Sequence, residues 1–340
     1  MQKQLGLSLV ELMISITLGL ILMAGVVQMF ASSTVTFKSQ QSISRIQETG
    51  RLAIEFMSKD IRAAGNYGCG KLDPANPAKE LQNGSLNLGG LHRDFNVSVQ
   101  GYDSVTNIPS PLTATTALGI ASVAANQNII VVRSALDLGL PVTRLNEDDK
   151  VFAFTNQADV NSSCVEGICI GAAVVVGDCY GARAFQVSDL AVTTGEVTIT
   201  PVASNPAWDT TIVTQQFKTG EVAPLKTVVY FIANGANGSP SLFQRTNTDA
   251  NAVELLEGVE RMNIRYARSG SPGTYSTASV IGANWADVVS VRIELVVRGS
   301  NKTAVDSPQP YTLSSGTVTP TDRYMRQVFS TTINLRNRNL

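Results

Sequence analysis

One carboxylate, Glu11, stands alone in the otherwise uncharged run from Leu7 to Ala31. An ionised group in such a run costs up to about 2.5 to 3.5 kcal/mol at the centre of a bilayer and less near its interface. Glu11 therefore calls for a compensating cation. The four cysteines, Cys69, Cys164, Cys169 and Cys179, are the next reactive set. An even number in an exported head implies two disulfides, with three possible connectivities. The expected pairing is Cys164 with Cys169 across a short loop, with Cys69 tying a helix end to Cys179. As zinc ligands the four lack paired C-x2-C spacing.

Other candidate chemistry is thin. The segments Asn146-Glu147-Asp148-Asp149 and Thr246-Asn247-Thr248-Asp249 offer oxygens to calcium, but neither follows the D-x-[DN]-x-[DN]-G loop, and both read as solvated turns. Gly65 to Lys71 fits GxxxxGK formally. Leu72, however, occupies the Ser/Thr position that a phosphate loop needs for magnesium, and the motif ends a helix instead of opening one. A single histidine, His92, excludes a His-rich metal site or a two-His relay and reads as a surface side chain. Trp208 and Trp285 read as packing residues. No Gly-x-Ser-x-Gly elbow, carboxylate pair or nucleophile-base arrangement stands out. The expectation is a chain that is not an enzyme, with no cofactor and no resident metal.

The charge balance, 26 Lys plus Arg against 27 Asp plus Glu for a net charge of -1, gives no electrostatic reason to expect a nucleic-acid partner. Charged residues make up 16% of the 340 residues, well below the roughly 25% of an ordinary soluble domain. With many Gly, Ser, Thr and Asn, this suits an exported β-rich protein.

The elements that would position Glu11 begin with the apolar run itself. Leu7 to Ala31 at about 1.5 Å rise would cover about 37 Å, enough for a hydrocarbon core of about 30 Å. Lys3 and the terminal amine favour a cytoplasmic N-terminus. Beyond the run, Ile43, Ile46, Ile54, Met57 and Ile61 keep helical spacing. Leu7 to Ala63 as one helix would be about 85 Å long, with Gly50 a soft point and Gly65-Asn66 a stop signal. After the stop come short strand-like runs between turn clusters: 128–134, 150–155, 172–177, 196–200, 226–233, 261–267 and 287–299. In the last, Val289, Val291, Ile293, Leu295 and Val297 share a face, while Ser290, Arg292, Glu294 and Arg298 line most of the other. That pattern suits an antiparallel sheet wet on one side. Segments 73–90 and 268–284 read as loops, and 234–240 as a hairpin turn.

The stretch Gly6-Leu7-Ser8-Leu9-Val10-Glu11, followed by LMISITLGLIL, resembles the leader and first turns of type IV prepilins and type II secretion pseudopilins. The resemblance implies cleavage after Gly6 by a prepilin peptidase, methylation of the new terminus at Leu7, and a registering role for Glu11. Leu7 stands where the family commonly has phenylalanine. Leu7 and Glu11 are i and i+4, so the freed amine and the carboxylate would share one helix face; in a filament, the amine of one subunit can neutralise the glutamate of its neighbour. Farther on, RLAIEFMSKDIRAAGNYGCG is similar to the helix-to-head junction of PilW-like minor pilins. GDCYGARAFQV (177–187), LLEGVERMNIRYA (255–267) and RQVFSTTINLRNR (326–338) extend that resemblance.

The expected fold is therefore α+β and pilin-like: a long N-terminal helix packed on a large antiparallel β-rich head. The expected divisions are a leader at 1–6, a transmembrane or filament-core helix at 7–31, its amphipathic continuation at 32–64 and the head at 65–340. By resemblance, the chain would be a minor pilin that helps prime pilus assembly from a tip complex and supports piliation, twitching and adhesion. Its implied partners are other minor pilins, the major pilin, the prepilin peptidase, the inner-membrane assembly platform and a large tip adhesin. The chain would sit in the inner membrane with a periplasmic head before assembly and at the pilus surface after it. The competing readings are a J-type pseudopilin of type II secretion and a periplasmic binding protein or enzyme, either signal-anchored or released by cleavage near Ala31-Ser32-Ser33.

Overall fold

The computed structural model describes residues 8–68, 81–82, 86, 88–120, 123, 126–136, 139–145, 150–156, 163–178, 181–203, 220–247, 249–302, 305 and 307–336. Helix α1 spans Leu9–Ala63 without a break and is long and apolar enough at its N-terminal end to cross a membrane. Ser8 caps its start and Gly65, at φ 71°, follows its end, with the Gly65 N–H bonded to the Arg133 carbonyl at 2.9 Å.

Among the described residues, the regular structure of the head is mostly strand. Its first part contains β1 (Leu81–Gln82), β2 (Val99–Tyr102), the short helix α2 (Ala114–Leu118), β3 (Ile129–Ala135), β4 (Leu140–Leu145) and β5 (Val151–Phe154). A tight hairpin, β6 (Cys164–Val165) and β7 (Ile168–Cys169), leads to β8 (Ala173–Gly177), β9 (Ala182–Thr193) and β10 (Glu196–Pro201). The long β11 (Glu221–Asn234) follows, then β12 (Pro240–Thr246), β13 (Val253–Glu257) and β14 (Val259–Arg268). Helix α3 (Ala278–Ile281), β15 (Val288–Arg298), the hairpin β16 (Tyr311–Leu313) and β17 (Gly316–Val318), and β18 (Arg326–Asn334) complete the described chain.

β11 organises the larger, eleven-stranded sheet. Its first residues pair with β4 and β8, and its later residues with β3 and β12. One strand therefore bridges two packed regions, and 234–240 is the turn into β12. β14, β15 and β18 form a separate antiparallel sheet. On its inner face Met262 lies opposite Leu295, Ile264 opposite Ile293, and Tyr266 opposite Val291. These residues share a core with Ile46, Ala53, Met57 and Ile61 of α1 and with Ile130, Val228, Tyr230 and Leu242 of the larger sheet. The second half of α1 thus completes the core between two sheets, which is how a layered α+β fold buries an amphipathic stripe. A second core, among β4, β5, β8, β9 and β10, receives Val165 and Ile168 of the tight hairpin.

The buried helix positions are Ser42, Ile46, Gly50, Ala53, Met57, Ser58 and Ile61. Ile43, expected on the stripe, is instead exposed, and Ile54 is only partly buried at the margin. Small residues at 42, 50 and 53 let the sheet approach the helix backbone, so the true contact line runs through them. Gly50 is no soft point: the helix continues through it, and the Phe329 ring occupies the space a Cβ there would need. Residues 268–284, expected as a loop, contain the single turn of α3.

Candidate functional site

The N-terminal half of α1 presents its side chains outward. Leu9, Leu12, Ile16, Leu20, Met23, Val27 and Phe30 are all more than half exposed. The Glu11 N–H donates to Ser8 Oγ at 3.3 Å, capping the helix, and the Glu11 carboxylate lies in the first turn, where the helix dipole favours negative charge. Its side chain is exposed. Gly6 and Leu7 lie outside the described residues.

Several hydroxyls along this apolar half bond back to the helix backbone. Ser15 Oγ donates to the Glu11 carbonyl at 2.7 Å, Thr17 Oγ1 to that of Ile14 at 2.9 Å, and Thr34 Oγ1 to that of Phe30 at 2.8 Å. Folded back in this way, they lower the cost of placing the helix in an environment without water.

The other half is bolted to the head at Asp60. The Tyr230 hydroxyl donates to Asp60 Oδ2 at 2.6 Å, Lys226 Nζ lies 3.3 Å from Oδ1, and Gln244 Nε2 donates to the Tyr230 oxygen at 2.8 Å. Burial, then the neighbouring Asp60 charge and its hydrogen bond, push the Tyr230 hydroxyl well above its ordinary pKa. It stays protonated and donates. Residues from adjacent β11 and β12 thus hold one carboxylate on the helix. The sequence reading missed this cluster, although Asp60 opens the Asp-Ile-Arg block of the junction.

The C-terminal sheet carries a second polar anchor. Arg326, with a side chain 2% exposed, forks onto Glu260 at 2.6 Å and Asp322 at 2.6 Å. Burial opposes its charge, but the hydrogen bonds to both carboxylates outweigh that and push its pKa up. Hydrogen bonds from Arg326 hold the Asp322 carboxyl down at about 2, assisted by the Tyr324 N–H. On the outer face of β15, Glu294 accepts from Asn263 and from the backbone N–H and hydroxyl of Ser314, fastening the β16–β17 hairpin.

The remaining candidates sort as follows. Cys164 and Cys169 form a disulfide across the β6–β7 hairpin, with Cα atoms 4.0 Å apart. Cys69 and Cys179 lie outside the described residues, as do Asn146 to Asp149, Trp208 and the far end of the Gly65-to-Lys71 motif. His92 corrects the surface expectation: it is buried, with Nδ1 2.8 Å from Thr227 Oγ1 and its ring edge-on to Phe95. A small aromatic ring with one satisfied nitrogen fits this core. Burial, aided by the Arg133 charge, lowers its pKa to about 4. Asn247 serves a turn, with Oδ1 accepting from the Thr227 N–H at 2.8 Å. Trp285 is buried edge-on to Tyr266. Among the described residues, no group of three or more His, Cys, Asp or Glu could hold a metal ion.

What the chain brings together is therefore an outward apolar helix with an exposed carboxylate in its first turn, joined to a β head through Asp60 and the shared core. Comparison with known proteins agrees. Residues 1–27 match the prokaryotic N-terminal methylation motif, and residues 229–337 match the family of the type IV pilus-assembly protein W. The latter segment contains the three-stranded sheet, Tyr230, Gln244 and the Arg326 anchor. No curated protein matches the sequence. Among solved structures, a type IV-like pilin from Thermus thermophilus aligns at 10% identity over 59% of this chain and 87% of its own, with a TM-score of 0.22, too low to equate the two folds. In its first 27 residues the chain is thus similar to prepilins, and over residues 229–337, about a third of its length, to the type IV pilus-assembly protein W family.

Proposed function

We propose that this chain acts as a minor pilin: it is cleaved after Gly6, methylated at Leu7, and enters a pilus by packing the outward half of α1 into the filament core. The observation that carries the reading is the division of α1. Its first half buries nothing within the chain, while Ser42 to Ile61 are seated between two sheets. A helix so divided offers one half to a bilayer or to neighbouring subunits and holds the head with the other. In this reading the head is periplasmic before assembly and meets other minor pilins at the tip. There it helps prime polymerisation, with a large adhesin as a companion, and the chain performs no catalysis.

Intact mass and N-terminal sequence of the native protein, from membrane and sheared-pilus fractions, test the proposal. A start at Leu7 carrying one methyl group, in both fractions, is the expected result. A start near Thr34, or a retained Met1, would overturn it. A deletion strain that secretes normally but lacks pili and twitching separates the pilus role from that of a type II secretion pseudopilin.

A further inference from the structure

β18 is the margin of its sheet: it pairs with β15 on one side and, among the described residues, with no strand on the other. The register fixes which groups are left over. The Leu335 N–H bonds to the Val289 carbonyl and the Gly299 N–H to that of Met325, so the odd-numbered residues of β18 turn their amides toward β15. Arg326, Val328, Ser330, Thr332 and Asn334 therefore turn N–H and C=O outward. The edge is nine residues long and contains neither Pro nor Lys, the residues with which natural sheets commonly blunt an open edge.

Beside this edge, between α1 and β18, lies a groove of about 760 Å³ lined by Arg51, Glu55, Lys59, Arg62, Phe329 and Arg336, among others. Four cations face one carboxylate there, on a chain whose net charge is -1. All four are exposed, and none is in an ion pair among the described residues. Along the helix, Arg51 and Lys59 are separated by about 12 Å of rise. Side chains four residues apart on a strand are separated by about 13 Å.

We propose that the β18 edge and its groove take an extended acidic segment of a partner protein, added as a fourth strand. Its backbone would pair with Val328, Ser330 and Thr332, and its carboxylates would meet Arg51, Lys59, Arg62 and Arg336. Main-chain pairing gives such a site its affinity, and the charges give it its preference. The inference rests on the C-terminal sheet and the seated half of α1 and does not depend on the filament reading.

The test is residue-resolved amide hydrogen exchange on the full chain in detergent, with a short peptide of alternating glutamate and valine as probe and its lysine counterpart as control. The acidic peptide should slow the amides of Val328, Ser330 and Thr332 about tenfold, leave Phe329 and Thr331 unchanged, and have no lysine equivalent. Combining Arg51→Glu with Lys59→Glu should weaken the acidic peptide about tenfold and favour the basic one. Ser330→Pro, which deletes an outward N–H without touching the β15 ladder, should weaken both. Unchanged exchange at 328, 330 and 332, equal effects of the two peptides, or a charge-reversed protein that still prefers glutamate would overturn the proposal.

Discussion

The Phe329 ring lies over the α-carbon of Gly50, in the space that any side chain there would occupy. This contact joins the middle of α1 to the edge strand of the C-terminal sheet. In an exposed helix Gly→Ala gains up to about 1 kcal/mol. Here that gain competes with displacement of an aromatic ring, and overpacking costs about 1 to 3 kcal/mol. We expect Gly50→Ala to lower unfolding stability in urea by about 1 kcal/mol net. In a Phe329→Ala background the same change should be neutral or stabilising. Equal effects in both backgrounds would show that the ring does not set the cost.

Asp60 ties the helix to β11 and β12, and its removal leaves a buried hydroxyl without its acceptor. Asp60→Ala should cost about 1 to 3 kcal/mol, and Tyr230→Phe about 1 kcal/mol because the rest of the ring stays packed. The more telling measurement is amide exchange in the last turns of α1, from Met57 to Ala63. Exchange there should accelerate in Asp60→Ala before the rest of the head loosens. Uniform acceleration across the head would mean that Asp60 is only one contributor to a single cooperative unit.

These contacts explain what was legible in the sequence. β15 was plain because its two faces meet different surroundings, so Ile293 and Leu295 alternate with Arg292 and Glu294. The edge strand β18 was not read as a strand: with one side unpaired, Gln327, Ser330 and Thr332 are exposed and the apolar alternation disappears. β11 was read only from Lys226 because Pro224 interrupts the pattern, yet its first residues pair with β8 in a region where the strand changes neighbours. On α1, apolar spacing found Ile46, Met57 and Ile61 but misplaced Ile43, since Ser42, Gly50 and Ala53 are buried for their small size. Polar anchors such as Asp60 with Tyr230 join residues far apart in sequence, so no local spacing announces them.

Burial of His92 makes stability depend on pH in a defined window. Its pKa is about 4 in the folded chain against 6.5 ordinarily, so between those values the unfolded state holds the extra proton. Stability from this group is therefore complete above about pH 6.5 and is lost as pH falls toward 4, by up to about 3 kcal/mol. Carboxylates contribute their own slopes, so the readout is the difference between the parent and His92→Gln. Urea midpoints of the two should converge as pH drops from 7 to 4. Parallel curves across that range would refute the assignment.

The Cys164–Cys169 bridge closes a short loop, which limits how much chain entropy it removes from the unfolded state. Replacing both residues by serine should cost about 2 kcal/mol, the low end for a native disulfide. The loss should appear as faster exchange in β6 to β8, because Val165 and Ile168 carry the hairpin into the second core. Loosening at the α1 seat would indicate that the two cores are coupled.

Glu11 tests the helix tip apart from the head. The head makes no use of it: the side chain is exposed and the cap it shares with Ser8 is formed by its backbone N–H. Its carboxylate is costly in a bilayer and becomes favourable beside a cation, which the amine of an adjoining subunit would supply. Glu11→Ala should therefore leave membrane level, processing and head stability intact while abolishing incorporation into sheared pili. Glu11→Gln should behave alike, since it keeps shape and removes charge. Normal incorporation of the glutamine variant would sink the charge-pairing role, whereas loss of both variants from the membrane would show that Glu11 acts earlier, in insertion.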